Sequence, residues 1–202
     1  MQIQLGGIGQ NEIPLEDRKT IWRLKYASFS FKRCSQCCDY ILQKQIKLGH
    51  PLNAPLTTAA QVYYARPFLK NYGMDKLNET QFVPANKLAI HQKILDARNK
   101  VAAHVDATND QWCENEPQLI VYLFRDGQKN CVRSSEVTPG PSFIREIRGL
   151  ARFLEAETKK CVNEWIDKWS FALPDDKKQY RVSIKADGPG LIFDSLAPDF
   201  AE

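Results

Sequence analysis

The chain has 202 residues, of which 43% are hydrophobic, 26% charged and 10% aromatic, the composition of one globular domain with a substantial core. No window approaches the ~18–20 continuous apolar residues of a membrane span, and Met1-Gln2-Ile3-Gln4-Leu5 lacks the basic and apolar regions of a secretory signal, so the expected location is cytoplasmic and membrane partners are not expected. The net charge of +4 (28 basic, 24 acidic) is spread along the chain, which tolerates an anionic partner but does not build the basic stripe of a dedicated nucleic-acid binder.

Residues 1–14 hold few periodic apolar positions and read as a loose lead-in. From Leu15 to about Leu48 apolar residues recur at three- or four-residue steps, Trp22, Tyr26, Phe29, Cys37 and Ile41 among them, predicting a long first helix stopped by Gly49-His50-Pro51. Thr57-Thr58 predicts the cap of a second helix running to about Tyr72 and ended by Gly73. Pro67 lies inside that pattern and predicts a kink or break. A third helix is predicted from about Pro84 to His104 or Val105, followed by a polar loop at 106–110.

The period then shortens. Leu119 to Phe124, a turn at Asp126-Gly127, and Asn130 to Arg133 predict a β-hairpin near 119–135. Ser142 is expected to cap a fourth long helix carrying Ile147, Ala151, Leu154, Cys161, Trp165 and Trp169. Residues 171–202 form an extension with a second small hairpin at Tyr180–Ile184 and Gly190–Phe193. The expected fold is mainly α: a four-helix bundle over 15–170 with one or two short β-hairpins added.

Cys34-Ser35-Gln36-Cys37-Cys38 contains a CxxC spacing, but a structural zinc site needs a second pair of ligands at similar spacing. These cysteines are expected to be reduced, small apolar residues on a core-facing helix, with no metal bound.

One segment departs from ordinary helix chemistry. On a wheel of about 100° per residue with Ile94 at zero, Val101 falls within roughly 20° and Arg98 at about 40°, inside the apolar face. An arginine there keeps its charge and needs a carboxylate, a carbonyl or a phosphate. His104 stands about 120° from Arg98 and roughly 9 Å further along the axis, so the two address one ligand only across a groove or with a second copy of the helix nearby. The plain alternative is a core arginine ion-paired to a neighbouring helix.

Arg98-Asn99-Lys100-Val101-Ala102-Ala103-His104-Val105-Asp106 resembles the motif of the HEPN superfamily, an arginine followed some residues later by a histidine, often with a polar residue directly after the arginine. It is most similar to the abortive-infection-type form, in which the motif ends in Ala-His with an acidic residue after it. Tyr64-Ala65-Arg66-Pro67-Phe68 on the preceding helix is also similar to that group. The resemblance implies a HEPN-like up-down four-helix bundle and a metal-independent endoribonuclease without cofactor, acting as a homodimer on RNA in phage defence or a toxin–antitoxin system. It also implies an antitoxin or another defence protein as partner. In that reading His104 is general acid and base, Arg98 clamps the scissile phosphate and Asn99 positions the phosphate or orients His104. Tyr64, Arg66, His91 and Lys100 are the expected substrate-binding residues; for His91 and for one of Tyr63 and Tyr64, a structural core position is the competing expectation. The tyrosine that follows the histidine in one toxin branch is replaced by Val105-Asp106, so regulation through that tyrosine is not implied. The alternative within the family is a non-catalytic dimerisation module that binds a nucleotide or a protein partner.

Overall fold

The computed structural model describes residues 13–47, 49–70, 75–101, 119–126, 129–136, 140–172, 180–185 and 191–193. These are mainly helical: α1 (Leu15–Gln43), α2 (Asn53–Ala65), α3 (Glu79–Phe82), α4 (Leu88–Val101) and α5 (Pro141–Trp169). Two antiparallel ribbons are added, β1 (Leu119–Asp126) with β2 (Lys129–Glu136), and β3 (Tyr180–Val182) with β4 (Leu191–Phe193). Among the described residues no helix is long and apolar enough to cross a membrane.

The two 29-residue helices α1 and α5, each about 43 Å long at 1.5 Å per residue, run antiparallel as the spine of the bundle. Arg152 Nη2 donates to both oxygens of Asp39 at 2.9 and 2.8 Å near one end. At the other, Trp165 Nε1 donates to the Asp17 carbonyl at 2.9 Å and Lys168 Nζ meets Asp17 Oδ1 at 2.8 Å. On α1 the buried stripe is Leu24, Ala27, Phe31, Cys34, Cys38 and Ile41, steps of three and four that keep one seam facing the partner helix. On α5 it is Ile144, Ile147, Ala151, Leu154, Thr158 and Trp165. The α5 stripe is the predicted one except that Cys161 and Trp169 are half-buried. On α1 the prediction mixed two faces. Trp22 and Phe29 are 41% and 52% exposed, because α1 carries a second apolar stripe with the same spacing on its outer side.

Helix ends differ from the predicted ones for local reasons. α1 stops at Gln43, well before Gly49, because Gln45 takes the left-handed conformation (φ 49°). The Ile46 N–H then reaches the Ile41 carbonyl at 2.9 Å and Gln45 N–H the Leu42 carbonyl at 3.3 Å, a Schellman closure. α2 begins four residues before Thr57, which is a buried residue inside the helix and not its cap. Pro55 fits there because first-turn N–H groups have no helical acceptor anyway. Pro67 does break the pattern: α2 ends at Ala65, a 3-10 turn takes Arg66–Phe68, and Leu69 is extended.

Pro84 precedes a 3-10 turn at Ala85–Lys87, from which α4 rises; the predicted end of that helix at His104 lies outside the described residues. α5 starts from Gly140 with Pro141 in its first turn, so Ser142 is not its cap. In the first ribbon Asp126, predicted as a turn residue, is paired with Lys129. The second ribbon is shorter than predicted, and the segment just after β3 lies along α1. Arg18 Nη1 donates to the Ser183 carbonyl at 2.8 Å, and Trp22 Nε1 to the Val182 carbonyl at 2.8 Å.

Candidate functional site

α4 turns His91, Ile94, Leu95 and Ala97 into the core. Arg98 follows at the edge of this face and is half-buried, and Asn99 beside it is exposed. Arg98 Nη1 donates to Asn99 Oδ1 at 3.1 Å. Among the described residues no carboxylate lies within 4.0 Å of the guanidinium, so no ion pair of the expected alternative is seen there. A guanidinium has five N–H donors, and a single bond to a neutral amide leaves most of them for another acceptor. Lys100 continues the same helix. His104 lies outside the described residues, and with it the distance to Arg98.

Two expected substrate-binding residues are instead inside the protein. Tyr64 is 0% exposed and His91 is 1% exposed, and the Tyr64 hydroxyl lies 2.7 Å from His91 Nδ1. The rings pack with Phe31 and Phe68; Phe68 meets the edge of His91 at a centroid distance of 4.6 Å. His91 Nε2 points to Glu79 Oε2 at 3.4 Å, close enough for charge to be felt but short of hydrogen-bond geometry. Burial pushes the Tyr64 phenol far above its ordinary range, with Cys34 and Glu79 adding to the shift. Tyr64 is therefore a neutral O–H donor, which assigns the acceptor role to Nδ1 and the proton to Nε2, facing Glu79. Burial pushes the His91 imidazole down, against the opposing pull of Glu79. The result is a neutral, fixed histidine that ties α2, α3 and α4 together, not a ring presented to a ligand. Tyr63, by contrast, is half-buried, and the Arg66 guanidinium lies 4.8 Å over its ring at the exposed end of α2.

Glu79 did not stand out in the sequence, since it sits in a stretch without apolar period. Its local signal is Asn78: the Oδ1 accepts from Thr80 N–H at 3.0 Å and caps α3, which turns Glu79 toward His91. The cysteine run behaves as core. Cys34 and Cys38 are fully buried, Cys37 is half-buried, and burial pushes the Cys34 thiol well up, away from nucleophile or metal-ligand character. Among the described residues no group of three His, Cys, Asp or Glu side chains is arranged to hold a metal ion. Comparison of the chain with family models, with curated proteins and with solved structures finds no match.

Proposed function

We propose that this chain is a HEPN-type, metal-independent endoribonuclease that works as a homodimer, with Arg98, Asn99 and His104 of two copies lining one cleft. The observation that supports the reading is Arg98 itself. It is a half-buried guanidinium at the edge of the α4 core face, steadied by Asn99 and paired with no carboxylate among the described residues. Such a group is placed to take two oxygens of a phosphate diester. In the proposed reaction the RNA 2′-hydroxyl gives its proton to His104 and attacks the adjacent phosphorus. The bond to the 5′ oxygen breaks, and His104 returns a proton to that leaving oxygen. The products are a 2′,3′-cyclic phosphate and a 5′-hydroxyl. Arg98 holds the charge that builds on the non-bridging oxygens. With Tyr64 and His91 buried, the aromatic contact to RNA falls to Tyr63, stacked under Arg66, and backbone phosphates fall to Arg66 and Lys100. A role in phage defence or as a toxin held by an antitoxin is the setting the sequence resemblance suggests.

The test is purified protein on end-labelled RNA in EDTA, beside a substrate with 2′-deoxy sugars and beside the Arg98→Ala and His104→Ala variants. Cleavage by the wild type alone, absent on the deoxy substrate, is expected. Arg98→Ala should stay within about 1 kcal/mol of wild-type stability, since no buried partner among the described residues is stranded. Equal cleavage by wild type and both variants, or none by a dimeric wild type on any RNA tried, sinks the catalytic assignment. Dimerisation without cleavage, and with ligand binding lost in His104→Ala, would instead identify a non-catalytic nucleotide- or partner-binding module.

A further inference from the structure

A cleft of about 420 Å³, within the range of small-molecule sites, opens between α1, α3 and α5, distinct from Arg98 and its neighbours. Leu24, Leu77, Phe82 and Trp165 form its apolar floor, and all four are buried. Its lining carries two formal charges, Arg23 from α1 and Glu164 from α5. Every other polar lining group is neutral, including the Cys161 thiol, which burial and nearby carboxylates push up.

Among the described residues neither charge is paired. Arg23 is half-buried and Glu164 exposed, and among the described residues no opposite charge lies within 4.0 Å of either, the other included. The two line the cleft from different helices, more than 4.0 Å apart. This differs from the ion pair nearby, where Asp17 is taken by Lys168. A guanidinium and a carboxylate held apart over an apolar floor match a molecule carrying the reverse pair of charges and an apolar group. We propose that the cleft binds a free α-amino acid with an apolar side chain. Its carboxylate lies on Arg23, its ammonium on Glu164, and its side chain against Leu24, Phe82 and Trp165. A ligand with only one of the two charges leaves Arg23 or Glu164 without its counterpart.

Isothermal titration calorimetry of the intact protein with L-leucine and L-phenylalanine tests this, each beside its N-acetyl and carboxamide forms. Saturable binding of the zwitterions is expected. Removing either ligand charge should weaken it about ten- to hundredfold, the range of one charge-assisted hydrogen bond. In Arg23→Gln the free acid should weaken similarly, and the carboxamide should then bind as well as the acid. Glu164→Gln should do the same for the N-acetyl form. No saturable heat up to about 10 mM of either amino acid, or equal binding of charged and capped forms, overturns the proposal without needing any variant. So does an unchanged affinity in a folded Arg23→Gln protein.

Discussion

Tyr64→Phe isolates one buried hydrogen bond. The ring stays, and with it the packing on Phe31 at 5.9 Å and Phe68 at 5.8 Å between centroids. Only the hydroxyl leaves, and His91 Nδ1 loses its 2.7 Å partner in a place that is 1% exposed, where no bulk water replaces it. An unsatisfied buried acceptor costs about 1–3 kcal/mol, so we expect about 2 kcal/mol of lost stability. For a domain of this size that lowers the melting temperature by roughly 4–8 °C. Urea unfolding followed by far-ultraviolet circular dichroism measures it, with an unchanged m-value required for the comparison. The pairing is tested by repeating the substitution in a His91→Leu background. There the hydroxyl already lacks an acceptor, so Tyr64→Phe should be neutral or stabilising, a coupling of about 1–3 kcal/mol. A loss below about 0.5 kcal/mol in the wild type, or the same loss in both backgrounds, refutes the reasoning.

Two further predictions concern pH and the end of α1. Burial lowers the His91 pKa in the folded state below its unfolded value of about 6.5, so the unfolded chain takes up the proton first. Stability is then fully present above about pH 6.5 and falls as pH drops below it; His91→Leu should flatten this limb in melts across a pH series, and an unchanged slope would assign it to other groups. Gln45 holds φ 49° at the Schellman position, which a side chain adopts at a cost and glycine does not. Gln45→Gly should raise stability by about 0.5–1 kcal/mol despite its greater unfolded-state entropy; a decrease in the urea midpoint would count against the closure described.

Where the sequence had one period and one solution, it read through to the structure. The α5 stripe and the break at Pro67 depend on neighbours within a turn or two, and both are where the pattern puts them. α1 was ambiguous for a physical reason: two apolar stripes share the helical period, and only packing against α2 and α5 decides that Phe31 and Cys34 go in while Phe29 stays out. The candidate site shows the same division. The wheel puts Arg98 inside the α4 apolar face, whereas its half-buried place at the edge, with no carboxylate beside it among the described residues, is set by tertiary packing. That Tyr64 and His91 are each other's partners joins residues 27 apart on different helices. Glu79 and the Arg23–Glu164 cleft likewise bring together positions no local pattern links.

The buried Arg18 sets an order of events during synthesis. The residue is 3% exposed, and the bonds described for its guanidinium go to the carbonyls of Ser183 and Lys185, 165 and 167 residues later in the chain. Trp22, one turn on, waits for Val182. A ribosome delivers α1 before the other described helices, but its N-terminal turns have no finished surroundings until nearly the whole described chain has left the exit tunnel. Until then a solvated arginine keeps that end of α1 from settling into its final burial. Made before the other described helices, α1 is thus among the last completed, and a nascent chain stopped short of residue 183 should carry an α1 that frays at this end while its Phe31 half is already packed.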